Sequence, residues 1–174
     1  MEFNNDPISQ VQWVQTDLLQ ANDYNPNVVL NQELKLLEFS IMKNGWIQPV
    51  LVTKEYVIID GYHRSYLSKN SALIKSKYNG LVPVVIMDIT DAERKLLTIR
   101  INRAKGNHIA VKMHDIVKSL IDDHDYTPQD IMDGIGCTKQ EVELLYKDGV
   151  FDALNIKEHE YSRAWRGPKQ GVKK

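Results

Sequence analysis

The sequence predicts a mixed α+β domain followed by a helical module. Three observations predict it. Short apolar runs rich in β-branched residues, "PVLVT" (49–53), "YVIID" (56–60) and "VPVVIMD" (82–88), have the length and composition of strands. Around them, apolar residues recur at three- and four-residue spacings, the period of one helix face. After Gly106 the character changes to helical patterns. On these signs residues 11–110 form the α+β domain, 111–155 a helical module and 156–174 a basic C-terminal tail.

Taken in order, the N-terminal residues read as loose, with "VQWV" (11–14) as a first strand. "ANDYNPN" (21–27) is dense in turn residues, and Pro26 restricts Asn25 to extended backbone. Leu30, Leu34, Leu37 and Ile41 share one helix face, and Gly45 ends that helix. Only Lys54 and Glu55 separate the next two strands. That predicts a hairpin, although the turn lacks the usual Gly or Asn. "GYHRSYLSKN" (61–70) reads as a short helix. "TDAERKLLTIRINRA" (90–104) opens with a capping box, in which Thr90 takes the Glu93 amide and Glu93 reaches back. Ala92, Leu96 and Ile99 give this helix its apolar face. Further on, Met113, Ile116, Val117, Leu120 and Ile121 make an amphipathic helix. Thr127 caps the following helix, with Pro128 at its first position, and Thr138 with Glu141 reads as a second capping box. Three short helices with a Gly-containing turn between the last two match a helix-turn-helix.

The bulk numbers exclude several classes. The 174 residues suffice to bury a real core, and 43% hydrophobic with 26% charged residues is ordinary for a globular chain. A net charge of −1 supplies no global pull toward nucleic acid or membrane, so such binding must be local. The single cysteine, Cys137, rules out an internal disulfide and a Cys-based zinc site. No signal peptide and no run of membrane-span length is read, which makes a cytoplasmic protein the expectation, with no membrane partner. The tail "YSRAWRGPKQGVKK" carries five Lys or Arg and no acid. Arg163, Arg166 and Lys169 are its candidate nucleic-acid contacts. Trp165 between Arg163 and Arg166 suits stacking on a base or docking on a partner, and the plainer reading of the stretch is a solvated tail.

The stretch "VIIDGYHRSYL" (57–67) delivers a histidine and an arginine to the first turn of a helix straight after a strand. Together with "LLEFSIMKNGWIQPVLVT" before it and "RINRAKGNH" after it, it resembles the N-terminal domain of ParB-type partition proteins, within the ParB/sulfiredoxin superfamily. The short length, "NRAKGNH" and "EYSRAW" are most similar to small phage- or plasmid-associated regulators of the immunoglobulin-binding-regulator B type. The resemblance implies a small mixed sheet with helices and a Gly-x-x-Arg turn that binds nucleotide phosphates. It implies a nucleoside triphosphate, CTP or ATP with Mg²⁺, and a role with DNA, a protein partner or a second copy in partition or transcription regulation. Phosphates are expected on Gly61, His63 and Arg64, with Asn102 and Lys105 opposite and Gly45 and Gln48 in the loop that lies against the nucleotide.

Elementary chemistry agrees. A helix N-terminus offers unpaired amides and a positive dipole end, and Gly61 allows close approach to the backbone. Arg64 supplies a bidentate fork, and His63 a further donor. The plainer reading is a surface helix capped by Asp60, with Arg64 paired to Asp60 in solvent. For "NRAKGNH" the plainer reading is a polar helix end with Gly106 as C-cap.

Departures from the family bound the activity. Sulfiredoxins carry a catalytic cysteine where Tyr62 stands, so sulfur repair is not expected. The second phosphate motif keeps Asn102, has Lys105 in place of Arg and lacks the acid, which weakens the case for hydrolysis more than for binding. Nuclease chemistry needs clustered metal ligands, and Asp60, Asp88, Asp91 and Glu93 form no ligand spacing. The alternative to a regulator is a phosphotransferase of the free-serine-kinase kind, with Asp17, Asp23 or Glu33 as candidate base. The second helix of the helix-turn-helix carries Glu141, Glu143 and Asp148 against Lys139 and Lys147, which suits packing or protein docking better than a DNA groove.

Overall fold

The computed structural model describes residues 3–22, 31–104 and 110–148. The chain divides into two compact units, Met1–Thr98 and Ile99–Lys174.

The first unit is built on a four-stranded mixed sheet of order β1-β4-β2-β3. Its strands are β1 (Gln12–Gln15), β2 (Val50–Thr53), β3 (Ile58–Asp60) and β4 (Leu81–Met87). β4 runs antiparallel to β1 and parallel to β2, and β2 runs antiparallel to β3. The two central strands are buried on both faces. Val50, Val52, Val82, Val84 and Val85 are at most 1% exposed, which explains why their sequences run apolar without alternating. Leu19 and Ile58 complete the cluster made by four of these valines, and Val14 of β1 packs against it.

Helices α1 (Asn31–Asn44), α2 (Tyr62–Asn70) and α3 (Ala72–Tyr78) share a second cluster of Ile41, Leu67 and Ile74. Leu34 and Leu37 pack against it as their spacing predicts, while Leu30 lies outside the described residues. Trp46 touches both clusters. Gly45 ends α1 at φ +82°, its amide donating to the Ile41 carbonyl at 3.0 Å.

Three features differ from the sequence reading. The reading assigned no element to residues 72–78, where α3 lies. Ser71 ends α2 and starts α3, its Oγ accepting from the Ile74 amide at 3.2 Å and donating to the Glu38 carboxylate of α1. Residues 7–10 form a 3₁₀ turn rather than loose chain. The β2–β3 hairpin forms around Lys54 and Glu55, but Tyr56 takes the positive φ, +60°, that Gly or Asn would have supplied. Its amide donates to the Thr53 carbonyl at 3.0 Å, and its ring packs on the sheet cluster.

Helix α4 (Asp91–Ala104) begins in the first unit and ends in the second. Its capping box is formed: Glu93 accepts from the Thr90 amide at 2.8 Å, and Thr90 accepts from the Glu93 amide at 3.3 Å. Ala92, Leu96 and Ile99 are buried as predicted.

The second unit holds α5 (Ala110–Asp122), α6 (Pro128–Ile135) and α7 (Lys139–Tyr146), with Ile116, Val117, Leu120, Ile131, Ile135, Val142 and Leu145 buried. α6 has more than the single cap expected. Thr127 and Asp130 satisfy each other in a full capping box. α7 has less. Thr138 accepts from the Glu141 amide at 3.3 Å, but the Glu141 carboxylate holds Arg103 at 2.5 Å instead of reaching back. Gly136, at φ +66°, turns the chain between α6 and α7. The end of α7 is tied to α5 by Lys118 to Asp148 at 2.6 Å and by the Tyr146 hydroxyl donating to Asp122 at 2.9 Å. Among the described residues no helix is long and apolar enough to cross a membrane.

Candidate functional site

The hairpin register builds the site. Leu51 of β2 stands opposite Asp60 of β3, so the chain entering β2 lies beside the chain leaving β3. Gln48 comes from the first of these segments, and Asp60, Gly61 and α2 from the second. Gly61 makes the bend at φ +95°, ψ +25°, a conformation that L side chains rarely adopt. It is the N-cap of α2 and gives no side-chain cap. The Ser65 amide, at 2.9 Å from the Gly61 carbonyl, makes the first helical bond, so the turn ahead of it presents main-chain N–H groups that have no acceptor within the helix. α2 is pinned underneath by buried hydroxyls: Thr16 Oγ1 donates to Ser68 at 3.2 Å, and Ser68 donates to the Ser65 carbonyl at 2.8 Å.

Arg64 crosses this turn. Its Nη2 donates to Asp60 Oδ2 at 3.2 Å and its Nη1 to Gln48 Oε1 at 2.8 Å. A Cβ placed on Gly61 would stand 3.0 Å from Arg64 Nη2 and 3.3 Å from the Val50 Cα. Gly61 is therefore required by its φ, and a Cβ there would also crowd the guanidinium and the Val50 backbone. The Arg64 and Asp60 side chains are 12% and 18% exposed. This corrects the plainer reading of a solvent pair with Asp60 as cap, since Asp60 faces Arg64 and the cap position belongs to Gly61. Burial pulls the guanidinium below its ordinary pKa, and the Asp60 charge opposes that. His63 is half-buried beside Tyr62, the two rings edge-on with centroids 6.2 Å apart.

The other candidates fall out as follows. Gly45 acts as the stop of α1, with the Tyr78 hydroxyl 3.7 Å from its Cβ position. Asn102 stands in the last turn of α4, within the second unit. Lys105, His108, Asp23, Arg163, Trp165, Arg166 and Lys169 lie outside the described residues. Asp17 is exposed, 4.0 Å from Lys69, and Glu33 is exposed in the first turn of α1. The carboxylates weighed for metal binding have other partners: Asp60 has Arg64, Asp88 has Lys54 at 2.7 Å, Asp91 has Lys95 at 3.0 Å and Glu93 has Thr90. Among the described residues no three His, Cys, Asp or Glu side chains gather to hold a metal ion. The sequence reading missed the Gln48–Arg64 bond. The two strands flanking Lys54-Glu55 carried its signal, because a tight hairpin sets Gln48 beside the end of β3.

Comparison with known proteins follows the same lines. The ParB N-terminal domain family model matches residues 3–102. The uncharacterized protein YbdM of Escherichia coli (strain K12) is 36% identical over 167 residues, covering 94% of this chain and 79% of YbdM. A probable chromosome-partitioning protein ParB of Borreliella burgdorferi is 25% identical over 151 residues, covering 82% of this chain and 56% of that protein. The crystal structure of the C-terminally truncated ParB of Caulobacter crescentus, complexed to the centromeric parS site, superposes with a TM-score of 0.54 at 20% identity. It covers 83% of this chain and 78% of that one, and so shares the fold. With more than half its length matched by the family model and with YbdM related across nearly all of it, the chain belongs to the ParB N-terminal domain family.

Proposed function

We propose that the protein is a nucleotide-binding regulator of the ParB type, with the ligand's phosphates on the N-terminal turn of α2. One observation carries the reading: at Gly61 a positive-φ glycine, a helix start with no side-chain cap and a guanidinium lying against both come together. Uncapped amides and the helix dipole favour an anion there, and Arg64 adds a planar fork. The ligand class is a nucleoside triphosphate, CTP or ATP with Mg²⁺, as the resemblance to partition proteins implies. His63 is the further donor, and Asn102 and Lys105 supply the second phosphate contact in this reading.

The bound state sets contact with DNA or with a protein partner, a second copy included. DNA enters because the structural neighbour was solved on its parS site. Arg163, Arg166 and Lys169 are assigned its backbone contacts. The helical module is assigned to protein docking, because Asp122, Asp123, Asp125, Glu143 and Asp148 are exposed on it and would repel phosphates.

The test is a thermal-shift screen of ATP, ADP, CTP and GTP with Mg²⁺, since a ligand that binds only the native state raises the melting temperature. Calorimetric titration of the best nucleotide into Arg64→Ala follows. A charge-assisted bond to phosphate contributes about 1.5–3 kcal/mol, so affinity should fall roughly 10- to 100-fold. Arg64→Lys should recover only part of it, because an ammonium cannot make the bidentate fork. Arg64→Ala should also lower stability without ligand by about 1–3 kcal/mol, because its Asp60 partner is largely buried. Affinity therefore decides the matter. An unchanged value returns Arg64 to a purely structural role.

A further inference from the structure

We infer that Asp60 is a built-in counter-charge that competes with the ligand for Arg64, so that the site accepts a polyphosphate chain and turns away a single phosphate. The inference rests on the phosphate-site reading above and adds what that site selects.

The geometry is specific. Asp60 Oδ2 stands 3.2 Å from Arg64 Nη2, and Gln48 Oε1 takes Nη1 at 2.8 Å from the other side. The Asp60, Arg64 and Gln48 side chains together carry no net charge. The guanidinium lies against Gly61, the residue that opens α2. With both members of the pair mostly buried, water screens their charges weakly. A phosphate arriving at Arg64 therefore meets a carboxylate at a similar distance, and attraction and repulsion largely offset. Orthophosphate has all its charge in that one place and gains little. A polyphosphate can set one group against Arg64 and place its others on the main-chain amides at the start of α2.

The experiment is calorimetric titration of the full chain with orthophosphate, tripolyphosphate and Mg²⁺–CTP. Asp60→Asn keeps an acceptor oxygen for Arg64 and removes only the charge. The wild type should bind tripolyphosphate and CTP, with orthophosphate weaker by roughly 100-fold. Asp60→Asn should tighten orthophosphate by about tenfold or more, as expected for losing a like charge a few ångströms away, and so narrow the gap. The double variant Asp60→Asn/Arg64→Ala should lose that gain. Asp60→Ser removes the charge by another route and should give the same shift, which keeps the test open should Asp60→Asn fold poorly. Weaker binding in the charge-free variants would overturn the inference and make Asp60 a residue that positions Arg64 for the ligand. The phosphate site would stand in that case, provided wild-type binding still depends on Arg64. Binding that ignores Arg64→Ala would remove the site itself. No anion binding by the wild type or by either charge-free variant would overturn both.

Discussion

Helices α2 and α6 start in opposite ways. At α6, Thr127 Oγ1 accepts from the Asp130 amide at 3.2 Å while Asp130 accepts from the Thr127 amide at 2.9 Å, so the helix closes its own end. α3, α4 and α7 also begin with a side-chain cap, from Ser71, Thr90 and Thr138. At α2 the N-cap is Gly61, with no side chain to offer, and an arginine from the helix itself lies across the bend. A capped end has one of its unpaired amides already bonded by its own side chain. An end opened by glycine gives up that local stabilisation and starts without a side-chain cap of its own.

Three changes would break or sharpen this contrast. The largest effect is expected at Gly61. Gly61→Val must place a branched side chain at φ +95°, against the Arg64 guanidinium and the Val50 backbone. It should cost about 2–3 kcal/mol, read as a drop in melting temperature, and should abolish nucleotide binding. Normal stability in this variant would mean that the bend relaxes freely and that the glycine is incidental. Next comes Thr127→Ala, which removes one cap and should cost about 1 kcal/mol in urea denaturation while leaving nucleotide affinity unchanged. A loss of affinity there would mean that this cap also bears on ligand binding.

The smallest effect is acid sensitivity. Bonds from the Thr127 hydroxyl and amide hold the Asp130 carboxyl below its usual range, Lys118 does the same for Asp148, and the Thr90 amide and hydroxyl do so for Glu93. A carboxyl depressed in the folded state adds stability above its unfolded pKa and loses it as pH falls through the folded value. The melting temperature should therefore be level above about pH 5 and fall toward pH 3, given unfolded carboxyl values near 4. Asp130→Asn should flatten part of that fall. An unchanged acid profile in Asp130→Asn would mean that the capping box contributes nothing through its charge.

What the sequence made legible was whatever is decided locally. The Leu34–Leu37–Ile41 face, the Thr90–Glu93 box, the Thr127 cap and the buried valine strands all rest on neighbours within a turn or two. What it hid was decided at a distance. Glu141 has the right spacing to complete a capping box, but Arg103 takes it from 38 residues away. Asp60 and Arg64 sit at the spacing of a surface pair, and only the β2–β3 packing and the Gln48 loop make them a buried one. α3 escaped notice because seven residues with one buried apolar side chain, Ile74, give too short a period to read. At Tyr56 a bulky residue accepts a backbone angle that composition assigns to glycine, since its ring gains a place on the sheet core.

The order of pairing in the sheet also bears on how the chain folds as it is synthesised. β2 and β3 are joined by a tight hairpin and can pair as soon as both exist. Of the strands in this sheet β1 is made first, yet its partner is β4, with Gln12 opposite Val84, and it cannot pair until β4 has been made. Such long-range closure is slow compared with hairpin and helix formation. During that interval Trp13 and Val14 form a short apolar strand with no partner of its own, and such edges are where a nascent chain meets its neighbours or a chaperone. The bend at Gly61 sits inside the part that forms early.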